Sequence, residues 1–223
     1  SGIMLDCGEG SYTQLIRLYG LEGTRKILRS LSTIWISHMH ADHHLGLISI
    51  IEQRRQCLLG QHVEGEQPLL IIGPRELFPW LLTFGGLATA AKTDVGQCQH
   101  QKEQQQQQQE EQQEPPGVAK HLRRSAGISL LKTVAVRHCK DAWAVVLEHE
   151  RGWKIAYSGD CRPCWNFARA GRGAHVLIHE ATFDESKMEE AVSRKHSTAS
   201  EAIHVARQMR ADRLLLTHFS QRW

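Results

Sequence analysis

Apolar and polar positions fall into blocks of two distinct periods. Residues 12–30 space Leu15, Ile16, Leu18 and Leu21 among charged neighbours, which predicts a helix. Leu31-Ser32-Thr33-Ile34-Trp35-Ile36-Ser37 is a short β-rich run. Residues 44–59 return to helical spacing through Leu45, Leu47, Ile48, Ile51 and Leu58. Pro68-Leu69-Leu70-Ile71-Ile72-Gly73-Pro74 has the pattern of a buried strand between breakers, with a helix expected around 75–84. Further strands are predicted over 128–137, 142–149, 153–158, 176–178 and 214–216, and a short helix over 164–170. Thr198 and Glu201 form a capping-box pair that opens a helix running to about Arg210, with Ala202, Val205, Ala206 and Met209 on its apolar face.

Residues 97–116 break both periods. An unbroken glutamine run from Gln104 to Gln109, flanked by Gln and Glu and closed by Pro115-Pro116, has almost nothing to bury. It is expected to be a disordered surface insertion, with order resuming near Ile128. The chain as a whole, residues 1–223, reads as one α/β domain that is partial: it opens on Ser1 inside a strand pattern and closes at Trp223 just past a motif. No run of 18 apolar residues exists, so no membrane partner is expected.

A second regularity cuts across the elements. Predicted strands end abruptly on a polar residue: Ser37-His38, Arg137-His138, Gly159-Asp160, Ile178-His179 and Thr217-His218. This places the polar residues on one rim of a sheet scaffold, where rigid elements hold them. Composition makes the rim interesting, because the chain has fourteen histidines. His38-Met39-His40 allows two imidazoles to reach one metal, and Asp42-His43 offers two adjacent ligands to a second. His138 suits a third ligand of the first metal. Asp160 is placed to bridge, and His218 to complete the second site. Imidazole and carboxylate suit two Zn2+ ions, with Mn2+ or Fe2+ as substitutes. A metal pair about 4 Å apart can polarise a phosphoryl or acyl oxygen and clamp the attacking and leaving oxygens.

The segments Leu5-Asp6-Cys7-Gly8-Glu9-Gly10, Ser37 to Gly46, Val136-Arg137-His138, Ser158-Gly159-Asp160, His179-Glu180-Ala181-Thr182, His196-Ser197-Thr198 and His218-Phe219-Ser220-Gln221-Arg222 resemble the metallo-β-lactamase superfamily. Within it they resemble the ribonuclease Z family, in particular the C-terminal catalytic half of its long form. The resemblance implies an αββα sandwich with its N-terminal portion truncated. It also implies two zinc ions: one held by His38, His40 and His138, the other by Asp42, His43 and His218, with Asp160 bridging. Asp42, Glu180 and His196 are the catalytic residues it implies, with His196 protonating the leaving 3′-oxygen. A carboxylate partner favours the protonated imidazole such an acid requires. The implied activity is removal of the 3′ trailer from precursor tRNA. The implied partners are that RNA and an N-terminal half or second subunit that grips it. The implied location is nucleus or mitochondrion. Cys161 stands where the family has threonine.

Two other readings use the same residues. One is a different hydrolase on this fold, a glyoxalase-type thioesterase or another RNA or DNA nuclease. The other is a non-catalytic RNA-processing subunit, which an intact ligand set disfavours. A net charge of +3 permits binding to a phosphate backbone without requiring it. Arg54, Arg55, Arg137 and Arg222 are candidate phosphate contacts, with a solvated surface role weighing at least equally for the first two. The six cysteines show no disulfide spacing, which predicts a reduced, intracellular protein. Cys161-Arg162-Pro163-Cys164 has redox-motif spacing but lacks the second pair a structural zinc needs, so it reads as ordinary thiols.

Overall fold

The computed structural model describes residues 1–59, 68–84 and 116–220. These divide into two compact units, the first up to Ala126 and the second from Gly127. The glutamine-rich insertion, Cys98 and the Gln221-Arg222 end of the last motif lie outside the described residues.

The first unit is built on a parallel sheet of β1 (Gly2–Leu5), β2 (Leu31–Trp35) and β3 (Leu70–Ile72), in that order. β2 is buried at every position, as the middle strand of a covered parallel sheet should be. Its helices are α1 (Ser11–Ser30), α2 (Ala41–His44), α3 (Leu47–Leu58), α4 (Leu77–Leu82) and α5 (Pro116–Ala126). Leu28 of α1, Ile50 and Ile51 of α3 and Leu77 of α4 share one core with Ile34 and Ile71 of the sheet.

Three expectations change here. α1 is interrupted at Gly20, whose φ of 67° and ψ of 174° only glycine adopts readily. The 44–59 helix is shorter and separate from α2, because Gly46 stands between them for a reason given below. Order also resumes before Ile128. α5 buries Val118 and Leu122, and His121 Nε2–H donates to the Ser32 carbonyl of β2 at 3.1 Å. The glutamine tract beside α5 masked its short amphipathic pattern.

The second unit carries a mixed sheet in the order β4-β5-β6-β7-β8: Ile128–Ala135, Trp143–His149, Lys154–Tyr157, Val176–Glu180 and Leu214–Thr217. The β4-β5 and β5-β6 pairs are antiparallel; β6-β7 and β7-β8 are parallel. α6 (Trp165–Ala170) and α8 (Ala199–Met209) cover it, setting Phe167, Val205 and Met209 against Ala144, Val146, Ala156 and Leu177. The predicted capping box at Thr198 and Glu201 is present, with both reciprocal bonds. α7 (Met188–Arg194) was not anticipated; it buries only Ala191, too thin a stripe to read as a helix.

Strand direction explains where the polar residues sit. β1 and β2 are parallel, so Asp6 and Ser37-His38 leave the same edge of their sheet. β4 opposes β5, which opposes β6, so β4 runs with β6, β7 and β8. His138, Asp160, Glu180 and His218 therefore leave one edge, the carboxyl ends where α/β sheets place ligands. The strand-end residues expected from sequence are divided between two sheets, Ser37-His38 on the first and His138, Asp160 and His218 on the second. Among the described residues no helix is long and apolar enough to cross a membrane.

Candidate metal and catalytic site

The first cluster is organised by the carboxylate of Asp6, whose side chain is 9% exposed. It leaves β1 in the left-handed region, φ 59°, which Asp tolerates better than most residues. Its Oδ1 accepts from Ser37 N at 2.6 Å, and its Oδ2 accepts from Ser37 Oγ–H at 2.8 Å and His43 Nδ1–H at 2.7 Å. Because the Ser37 hydroxyl donates to Asp6, it accepts from His38 Nδ1–H at 2.9 Å. Both histidines are buried, and both then carry the lone pair on Nε2. Their rings lie 4.1 Å apart, with His40 4.6 Å from His38. His40 and Asp42 are exposed. His44 Nδ1–H closes the loop onto the His40 carbonyl at 2.9 Å.

Two glycines permit this loop to pack. A Cβ on Gly8 would stand 1.9 Å from the Asp42 carbonyl oxygen, and one on Gly46 would stand 2.0 Å from that of Gly8. The close approach brings Cys7 N to the His43 carbonyl at 2.8 Å and Gly46 N to the Cys7 carbonyl at 2.9 Å. That is why Gly46 separates α2 from α3.

The second cluster surrounds Asp160 and Glu180, both buried. Asp160 Oδ2 lies 3.3 Å from His218 Nε2, 3.8 Å from His138 Nε2 and 3.9 Å from His196 Nδ1. His138 Nδ1–H donates to the Lys195 carbonyl at 3.0 Å, which leaves its lone pair on Nε2. His218, at φ 62°, is a second left-handed site residue.

Glu180 accepts five hydrogen bonds. Oε1 takes Cys161 N at 2.7 Å and His196 Nδ1–H at 3.0 Å; Oε2 takes Thr182 Oγ–H at 2.5 Å, Ser197 N at 3.1 Å and Thr182 N at 3.3 Å. The His196 loop is held from outside as well. Arg162 donates to the His196 carbonyl at 2.6 Å and forms a two-bond pair with Glu201, the capping glutamate of α8.

The donor sets fit a divalent metal. His138, Asp160 and His196 bring donor atoms within 4.8 Å of one another, as do Glu180, His196 and His218. Glu180 is nonetheless an anchor rather than a ligand, since its two oxygens already accept five bonds. Nδ1 is committed as a donor in His38, His43 and His138, a standard way of presenting Nε2 to zinc. The Nε2 atoms of His138 and His218 both face the Asp160 oxygen, an arrangement that a cation among them would stabilise.

Several expectations for single residues change. Arg54 is neither a phosphate contact nor a solvated residue: it is buried, and its Nε donates to the Leu31 carbonyl at 3.1 Å. Arg55 pairs with Glu52 through two bonds, while Arg137 is exposed. Cys7 and Cys161 are buried thiols; desolvation pushes Cys7 up to about 12 and Cys161 well above the ordinary thiol value. They stay protonated at neutral pH and inert, which agrees with the ordinary-thiol reading. Ser37, Thr182 and Arg162 received no role from the sequence, and Glu201 received only that of a helix cap. Only tertiary proximity reveals them, although each lies inside or beside a resembling segment.

His179 shows what burial does to a group beside the site. It is fully buried; its Nδ1–H donates to the Glu180 carbonyl at 2.7 Å, and its Nε2 has no hydrogen-bond partner among the described residues. Desolvation lowers its pKa below the ordinary 6.5, so the folded state keeps it neutral. The stability it contributes is complete above about pH 6.5 and is lost as pH falls toward the depressed folded value. Urea unfolding at pH 7.5 and 5.5 should show the lower midpoint at pH 5.5, and His179→Phe should narrow the gap. An equal gap in the variant would refute this assignment.

Histidines and aspartates thus leave the carboxyl edges of these sheets, with Nδ1 of His38, His43 and His138 engaged and Nε2 available to a metal. Residues 2–219 match the family model described as "Beta-lactamase superfamily domain", and the chain belongs to that family. Over 228 residues it is 38% identical to human "Zinc phosphodiesterase ELAC protein 2", and over 229 residues 38% identical to Drosophila melanogaster "Ribonuclease Z, mitochondrial". The matches cover 100% and 99% of this chain but 27% and 28% of those proteins, so the chain spans about a quarter of their length. The crystal structure of a long form RNase Z from yeast superposes with a TM-score of 0.83 at 25% identity, over 99% of this chain and 33% of that one. The mixed α/β fold is thus the metallo-β-lactamase type expected from the motifs.

Proposed function

We propose that the chain carries the catalytic site of a zinc-dependent endoribonuclease that removes the 3′ trailer from precursor tRNA. The observation that carries this reading is the Glu180–His196 pair, an imidazole held at 3.0 Å by a buried carboxylate beside Asp160. Relatives named as zinc phosphodiesterase and ribonuclease Z support it. In this assignment His38, His40 and His138 would hold one zinc and Asp42, His43 and His218 the other, with Asp160 as a shared carboxylate ligand. Bound zinc supplies a Lewis acid for the phosphoryl oxygen and makes water nucleophilic at neutral pH.

The chain's own groups move the protons. Asp42, whose side chain is 65% exposed, accepts a proton as water attacks phosphorus. His196 keeps Nδ1–H on Glu180 and delivers the Nε2 proton to the departing ribose 3′-oxygen. The P–O3′ bond breaks, giving tRNA with a 3′-hydroxyl and a trailer with a 5′-phosphate. Precursor tRNA is the partner, with its body gripped by an N-terminal half or second subunit. The mitochondrion is the proposed location, since the Drosophila relative is named a mitochondrial ribonuclease Z, and the nucleus is proposed on resemblance alone.

The leaving group discriminates this reading from a thioesterase. His196→Ala should slow cleavage of an unactivated RNA diester by about 10²–10⁴-fold. It should change hydrolysis of an activated nitrophenyl phosphodiester far less, because the weakly basic nitrophenolate leaves without protonation. Equal losses on both substrates, or hydrolysis of a thioester but no diester, would refute it.

A further inference from the structure

The two clusters share a device. In each, one carboxylate holds one histidine directly and a second through a hydroxyl. Asp6 takes His43 directly and His38 through Ser37; Glu180 takes His196 directly and approaches His218 through Thr182. Thr182 is the more informative case, because its two histidines have different assigned roles.

Its geometry fixes the direction of the bonds. Glu180 is a carboxylate whose Oε2 lies 2.5 Å from Thr182 Oγ, so the hydroxyl donates there. The hydroxyl's remaining capacity is to accept, and His218 Nδ1 lies 2.8 Å away. His218 must therefore carry its proton on Nδ1 and its lone pair on Nε2, the nitrogen 3.3 Å from Asp160 Oδ2. His196 Nδ1 is 3.3 Å from the same hydroxyl and 3.0 Å from Glu180 Oε1, so Thr182 also borders the proposed proton donor. Thr182 is 7% exposed, so water does not readily replace its hydroxyl.

We propose that Thr182 is a positioning residue that sets the tautomer of His218 and ties this metal ligand, through Glu180, to the orientation of His196. The proposal rests on the assignment of His218 as ligand and His196 as acid. It adds that one hydroxyl governs both: removing it loosens the second metal and misaligns the proton donor together. Serine keeps the hydroxyl, whereas valine keeps the shape and loses it.

The test uses the full chain and reads metal and tautomer before activity. In the zinc-free protein, 15N NMR of the imidazoles should show His218 with its proton on Nδ1. Thr182→Val should populate the Nε2–H form and weaken binding of the second zinc by about 10–100-fold in a chelator competition. Thr182→Ser should stay near wild type in both. A His218 proton on Nε2 in the wild type overturns the relay even if the valine variant fails to fold. Unchanged tautomer and zinc affinity in Thr182→Val overturns it too. A wild type that binds a single zinc instead overturns the ligand assignment beneath it, while the tautomer still decides the hydrogen-bond relay.

Discussion

Glu180→Ala is expected to lower folding stability by about 3–5 kcal/mol and to cost cleavage at least the 10²–10⁴-fold of a lost general acid. The carboxylate accepts five hydrogen bonds at a position with no solvent exposure. Alanine leaves the amides of Cys161, Thr182 and Ser197 facing a cavity, and buried donors without acceptors carry their full desolvation cost. The Thr182 hydroxyl and the His196 ring lose their common anchor at the same time. Glu180→Gln keeps the volume but replaces one accepting oxygen by a donor, so it should be milder in stability while still severe in activity. Urea unfolding followed by circular dichroism, alongside single-turnover cleavage, separates the two effects. An alanine variant within 1 kcal/mol of wild type would mean that water or another side chain satisfies those donors.

Gly46→Ala should be as damaging through an unrelated cause. Its added methyl would stand 2.0 Å from the Gly8 carbonyl oxygen and 3.0 Å from that of Cys7. Both contacts are backbone, so no side chain can rotate away. Relief requires the Asp6-to-Glu9 loop to separate from the loop of His38 to His43. That separation breaks the 2.9 Å bond from Gly46 N to the Cys7 carbonyl and strains the Asp6–His43 bond. The expected cost is about 3 kcal/mol or more, with loss of bound zinc. Gly117→Ala is the control: it lies in α5 with nothing within 4 Å of its added methyl, so helix propensity favours alanine by about 1 kcal/mol. Equal effects at the two positions would contradict the packing argument.

The parts legible in the sequence were those written in local pattern. β2 followed by His38 to His43, the capping box of α8 and the strand-end positions of Asp160 and His218 each have a signature a few residues long. Fold class followed from the resemblance that these motifs carry. What the sequence hid was long-range. Asp6 sits 31 residues from Ser37, and Thr182 sits 36 residues from His218, with no periodicity linking either pair. Arg54 looked like a surface charge because its helix is amphipathic, yet its guanidinium turns inward to a strand carbonyl. The division of ligands between two sheets was equally invisible, because a strand ending in histidine reads the same on either sheet. α5 was lost beside a glutamine tract whose composition dominates any window that includes it.

We propose that these residues cut precursor tRNA at its 3′ trailer with bound zinc. The direct measurement is to load the full-length protein with zinc, count the metal, and map both product ends from a precursor tRNA bearing a trailer. About two zinc ions per site and a single cut just after the discriminator nucleotide are expected, with a 3′-hydroxyl on the tRNA and a 5′-phosphate on the trailer. Asp42→Ala should abolish that cut while RNA binding persists. A zinc-loaded protein that leaves the precursor intact, or that leaves a 3′-phosphate on the tRNA, would contradict it.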